Sequence, residues 1–108
     1  MDSYLKHYIN GQWVDSIGGK RQLVISPSTE EPCTEITLGT QADVDAAVKA
    51  AKAAFETFSQ TSREERLALL GRIVEEYKKR VGDLAKSMAN EMGAPLNFAA
   101  TAQVGAGI

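Results

Sequence analysis

The chain has 108 residues, 44% of them hydrophobic and 24% charged, with a formal net charge of −2. That size bounds it to at most one small domain, and the composition is that of an ordinary globular protein. The longest basic cluster, Lys78-Lys79-Arg80, follows directly on Glu75-Glu76, so it reads as a solvated helix face and not as a nucleic-acid surface. No apolar run approaches the roughly 18 residues of a membrane span, and no apolar h-region follows the N-terminus. No nucleic-acid or membrane partner is therefore expected. The single cysteine, Cys33, cannot form an intramolecular disulfide, and a cytoplasmic location is expected.

Along the chain, Asn10-Gly11 lies between two short β-prone runs and predicts a type I′ hairpin, because both residues tolerate positive φ. A two-residue loop pairs Ile9 with Gln12 and Tyr8 with Trp13, placing two aromatic rings across the strands. Ile17 to Lys20 reads as a turn, Arg21 to Ile25 as a strand, and Ser26 to Pro32 as a proline-bounded loop. Cys33 to Leu38 is a third extended run, with Ile36 and Leu38 on one face.

Helices follow. Thr40-Gln41-Ala42-Asp43 is a capping box with Asp in place of the usual Glu, and Val44, Val48, Ala51, Phe55 and Phe58 then form one apolar stripe. Ser62-Arg63-Glu64-Glu65 is a second capping box, opening a helix striped by Leu67, Leu70, Val74, Tyr77 and Val81. Gly82-Asp83 predicts a break or kink. Leu84, Met88 and Met92 carry the next apolar face to the stop at Gly93-Ala94-Pro95. An alanine-rich helix is expected from Leu96 onward, reading as unfinished at Val104 to Ile108. The expected fold is an α+β fragment: strands at about 7–38, then helices at about 41–59, 63–81, 83–92 and 96–108.

Several of these segments resemble the N-terminal region of the aldehyde dehydrogenase superfamily. Tyr8-Ile9-Asn10-Gly11-Gln12-Trp13-Val14 looks like its opening hairpin, and Val24 to Glu31 like its proline loop, with Ser26 in place of the usual Asn. Asp43 to Val48 and Ala50 to Phe55 are similar to its first helix. Arg66, Leu69, Leu70 and Ile73 fit the second, and Glu91-Met92-Gly93-Ala94-Pro95 matches the end of the third. The resemblance runs over about residues 6–108. Each motif alone is weak; five in order are specific.

The resemblance implies the N-terminal part of an α/β coenzyme-binding domain in an enzyme that oxidises small aldehydes to carboxylic acids with NAD or NADP. In that family a cysteine thiolate attacks the aldehyde, hydride passes to the nicotinamide, and a glutamate-activated water releases the acid. The family's nucleophile, base and dinucleotide-binding strands lie downstream of residue 108. No catalytic or coenzyme-binding residue is therefore expected in this chain, and no Gly-x-Gly-x-x-Gly follows a strand in it. The expected partners are the remainder of the aldehyde dehydrogenase chain and, for the parent, a homodimer or homotetramer.

Four residues stand out as candidates. Cys33 follows Pro32 among Glu30, Glu31 and Glu35, which work against a thiolate, so it reads as a structural thiol. His7 lacks companions for a transition-metal site and reads as a strand residue. Glu91 lies near the negative end of its helix, where a carboxylate invites a cation. The resemblance implies a sodium or potassium site formed by Glu91 with the backbone carbonyls of Val24 and Ile25; the plainer reading pairs Glu91 with Lys86. Gln103 falls where the family's next helix lines the substrate tunnel, beside the small residues Ala102, Gly105, Ala106 and Gly107; the plainer reading is close helix packing. The rival to the whole scheme is a free-standing helical binding module without enzymatic activity.

Overall fold

A computed structural model describes residues 2–108. Its elements are β1 (Asp2–Tyr4), β2 (Lys6–Ile9), β3 (Gln12–Asp15), β4 (Arg21–Ile25), β5 (Pro32–Thr37), α1 (Gln41–Phe58), α2 (Arg63–Lys79), α3 (Val81–Met92) and the single turn α4 (Leu96–Phe98). A π-helical turn at Ala99–Gln103 and a 3-10 turn at Gly105–Gly107 follow. The chain divides into two compact units, one comprising residues up to Val24 together with Pro32–Thr61, the other Ile25–Glu31 with Ser62–Ile108. This is the α+β order of strands followed by helices.

In the first unit β2 and β3 form the hairpin read from Asn10-Gly11. Both turn residues have positive φ, 53° and 76°, and Ile9 pairs with Gln12 and Tyr8 with Trp13. The Tyr8 and Trp13 rings lie 5.1 Å apart, tilted by 57°. β5 is the middle strand of a three-stranded sheet ordered β1-β5-β4. Hydrogen bonds from Leu38 N to Lys20 O (2.8 Å) and from Ser26 N to Glu31 O (2.9 Å) bracket an antiparallel β4–β5 pair. β1 runs parallel to β5, with Asp2 beside Thr34 and Tyr4 beside Ile36.

Both capping boxes form. Thr40 and Asp43 exchange side-chain-to-backbone bonds at the start of α1, and Ser62 and Glu65 do the same at α2. The break between α2 and α3 falls at Arg80 (φ −111°, ψ 7°), two residues before the expected Gly82, which sits inside the first turn of α3. Val81 is thereby turned onto the core of the second unit. That core is Ala85, Ala99 and Val104, packed by Tyr77, Val81, Leu84, Met88 and Ala94.

Residues 96–108 are not the continuous α-helix expected. The amide of Val104 donates to the carbonyl of Ala99, five residues back, at 2.9 Å. This wider turn sets Ala99 and Val104 on one face, where both are fully buried. Gly105 and Gly107, poor helix formers, follow in the 3-10 turn.

Candidate functional site

The most heavily engaged side chain of the first unit is Asp43, 5% exposed in the first turn of α1. Its Oδ2 accepts from the Ser16 hydroxyl and from the Thr40 amide at 2.9 Å. Its Oδ1 accepts from the Ile17 amide at 2.8 Å. The Thr40 hydroxyl in turn donates to the Ile17 carbonyl at 2.9 Å. These donors hold the Asp43 carboxyl far below the usual carboxylate range, the Ser16 hydroxyl first, then the Ile17 and Thr40 amides, against an opposing effect of burial. His7 on β2 places Nε2 3.6 Å from Oδ2, and that nitrogen is buried without a hydrogen-bond partner. One carboxylate thus ties β2, the β3–β4 connection and the start of α1 together. The capping box was legible from sequence; the convergence of His7, Ser16 and Ile17 on it was not.

The Ser16 hydroxyl donates to the Asp43 carboxylate and not to an imidazole, and a carboxylate held this far below its usual range is a weak base. Cys33 is half-buried on β5, and its thiol donates to the Val24 carbonyl at 3.4 Å. A cavity of about 510 Å³ between the hairpin and α1 is lined by residues including Ile9, Val14, Ile17 and Ala50. Of the carboxylates lining it, Asp43 is engaged as above and Asp15 lies 3.9 Å from the Lys6 ammonium. Among the described residues no three His, Cys, Asp or Glu side chains gather as metal ligands, and no helix is long and apolar enough to cross a membrane.

The proposed cation ligands fall as follows. Val24 is half-buried near the end of β4, and Ile25, exposed, is its last residue. Glu91 is exposed in the last turn of α3, with no ion pair to Lys86 among the described residues. Within the second unit, the loop that Ile25 opens packs on the end of α3. A Cβ added at Gly93, whose φ is 72°, would lie 2.8 Å from Pro27 Cγ. Gln103 closes the π-helical turn, and its Oε1 is buried without a hydrogen-bond partner.

A sequence model of the aldehyde dehydrogenase family matches residues 13–108. A Staphylococcus aureus protein (strain bovine RF122 / ET3-1) named for this family is 46% identical over 98 residues, 91% of this chain. The chain spans about a fifth of the length of the curated relatives it matches, 21% for that protein. The aldehyde dehydrogenase structure from Bartonella henselae superposes with a TM-score of 0.97 at 47% identity, over 99% of this chain and 22% of its own. Aldehyde dehydrogenase C of Pseudomonas syringae, a mutant solved with NAD+ and octanal, superposes with a TM-score of 0.90 at 41% identity, over 93% of this chain and 21% of its own. The matches run along nearly the whole chain, and the chain belongs to the aldehyde dehydrogenase family.

Proposed function

We propose that these 108 residues are the N-terminal scaffold of an enzyme that oxidises aldehydes to carboxylic acids with NAD or NADP. The observation that carries this reading is the superposition of 99% of the chain on one end of a relative about four and a half times as long, at a TM-score of 0.97. The chain's own residues supply position and not chemistry. Its one cysteine lies in a sheet and bonds a backbone carbonyl, and its most engaged carboxylate caps a helix. The nucleophilic thiol, the base and the coenzyme site are assigned to the remainder of the subunit, and the active assembly to a homodimer or homotetramer. Residues 1–108 are on this reading one part of a coenzyme-binding domain. The rival, a free-standing binding module, gains no support from the relatives.

Two sites belong to the proposal. A sodium or potassium ion is proposed at the Ile25 carbonyl and the Glu91 carboxylate, with Val24 the preceding carbonyl of the same strand. The packing of Pro27 against Gly93, which brings the loop after Ile25 to the end of α3, supports it. Gln103 is proposed to face the aldehyde channel. Its support is a buried amide oxygen without a partner, carried on a π-helical turn of the kind found at functional sites.

The test is a chimera in which this chain replaces the matching N-terminal stretch of the Bartonella henselae relative. The expected chimera is soluble and oxidises aldehydes with NAD or NADP, whereas the isolated chain shows no turnover and no heat of dinucleotide binding. An inactive chimera beside an active parent, or saturable coenzyme binding by the chain alone, overturns the reading.

A further inference from the structure

The tip of the β2–β3 hairpin carries a reactive pair. Asn10 and Gly11 are both exposed, and theirs is the one Asn-Gly step in the chain. Among the described residues neither the Asn10 side chain nor the Gly11 amide makes a hydrogen bond, and the strand pairing ends at Ile9 and Gln12. The free Gly11 nitrogen therefore adjoins an electrophilic carboxamide carbon, Asn10 Cγ, with no side chain on Gly11 to shield it. Nothing lies within 4 Å of a Cβ built at Gly11, so the surroundings leave the step room to move. The other two asparagines lie in helices, Asn90 before Glu91 in α3 and Asn97 before Phe98 in α4.

We infer that the Asn10-Gly11 step is a self-modification site, at which one peptide flip lets the closed hairpin convert Asn10 through a succinimide to aspartate and isoaspartate. The φ angles of Asn10 and Gly11, 53° and 76°, are those of a type I′ turn. Closing the five-membered succinimide ring brings the Gly11 nitrogen into line with Asn10 Cβ. In an L-residue that means a ψ of about −120°, where a type I′ turn has about +30° and a type II′ turn has about −120°. Both turns share a first φ of about +60°, so Asn10 already holds the φ that the ring needs. Passing from one to the other rotates only the peptide between Asn10 and Gly11 and reverses the sign of the Gly11 φ, which glycine alone does at no steric cost. Both types also fit a two-residue hairpin, so Ile9 stays paired with Gln12 and Tyr8 with Trp13. The Gly11 nitrogen, deprotonated by hydroxide, then attacks Asn10 Cγ. The N–Cγ bond forms, the Cγ–Nδ2 bond breaks, and the side-chain nitrogen leaves as ammonia with protons from water. A second water opens the ring. Addition at Cγ restores the backbone and leaves aspartate. Addition at the backbone carbonyl leaves isoaspartate, whose chain runs through Cβ and Cγ and is one atom longer. Loop length fixes the register of a hairpin, so the second product loosens the Ile9–Gln12 and Tyr8–Trp13 pairs. The reaction needs water and no other chain, and is independent of the enzymatic reading.

The test incubates the 108-residue chain in mildly alkaline heavy-oxygen water, with the Tyr8–Trp13 cross-strand contact followed by NMR and the products by peptide mapping. Asn10 is expected to convert at least tenfold faster than Asn90 or Asn97, to both products, each carrying one heavy oxygen. The conversion in buffer is expected to be at least as fast as in urea, where the hairpin is gone. Trp13→Ala removes the cross-strand ring and opens the hairpin more often, and is expected to leave the rate unchanged or lower it. Asn10→Gln, which would have to close a six-membered ring, is expected to slow conversion at that position at least tenfold. An Asn10 that persists in buffer while it converts in urea overturns the inference, because the closed turn then protects it. Acceleration by Trp13→Ala overturns it too, since the reaction would then run through the open strand. So does a chain that converts Asn10 without showing the Tyr8–Trp13 contact at the outset.

Discussion

The Asp43 carboxylate accepts the Ile17 amide at 2.8 Å across 26 residues of sequence. With the Ser16 and Thr40 bonds beside it, this one side chain sets where α1 begins relative to the hairpin. Its folded-state titration is depressed, so the unfolded chain binds the proton more readily than the folded one. The resulting stability is fully present above the ordinary carboxylate range and is lost as pH falls from about 4 toward the depressed folded value. Acid unfolding of the chimera, followed by calorimetry, is expected to show this limb, and Asp43→Asn to flatten it while lowering the melting temperature at neutral pH. An unchanged acid limb in Asp43→Asn would show that other carboxylates govern it.

Gly11 and Gly93 share nearly the same positive φ, 76° and 72°, but not the same surroundings. Nothing lies within 4 Å of a Cβ built at Gly11, whereas one at Gly93 meets Pro27. Gly11→Ala therefore costs the left-handed conformation alone, about 1–2 kcal/mol. Gly93→Ala adds overpacking of about 1–3 kcal/mol unless the proline loop moves. Urea midpoints of the two chimera variants should separate in that order. Equal losses would mean that the Pro27 contact yields freely.

The Tyr77 hydroxyl donates to the carbonyl of fully buried Val104 at 2.8 Å, pinning the π-helical turn to α2. Tyr77→Phe keeps the ring and removes one of that carbonyl's two donors, the Gly107 amide at 3.1 Å remaining, a loss of about 0.5–1.5 kcal/mol. Exchange of the Ala99 to Val104 amides should rise while that of α1 is unaffected. A uniform rise across both units would contradict the separate core assigned to the second.

What could be read from sequence was local. The hairpin needs only the positive φ of Asn10-Gly11, and each capping box needs only a hydroxyl and a carboxylate three residues apart, so those elements and their registers were legible. The pairing of β1 with β5 was not, because Asp2 to Tyr4 is short and exposed, and its partners lie about thirty residues on. The helix break moved to Arg80 because burial of Val81 outweighed the glycine signal. The alanine-rich end promised an α-helix, but covering both Ala99 and Val104 required a five-residue spacing that α-helical periodicity does not contain. For the candidate site, Glu91 at a helix end was visible as a charge against the dipole. The meeting of Pro27 with Gly93 was not, since it joins segments more than sixty residues apart.

Glu91 itself decides the cation proposal. It stands exposed in the last turn of α3, where the helix dipole disfavours a carboxylate unless a cation offsets it. Glu91→Gln keeps the volume and removes the charge. If an ion joins Glu91 to the Ile25 carbonyl, the substitution weakens its binding while the strand carbonyl keeps its dipole. An ion that binds the folded state alone stabilises it by RT ln(1 + [L]/Kd), about 2.7 kcal/mol at a hundredfold excess over Kd. The unsubstituted chimera should then gain melting temperature as potassium or sodium chloride replaces choline chloride at constant ionic strength, and Glu91→Gln should gain much less. An exposed carboxylate with no bound ion contributes little and is screened equally by all three salts. Identical potassium and sodium responses in the two proteins would leave Glu91 an ordinary helix-end carboxylate and remove the cation from the proposal.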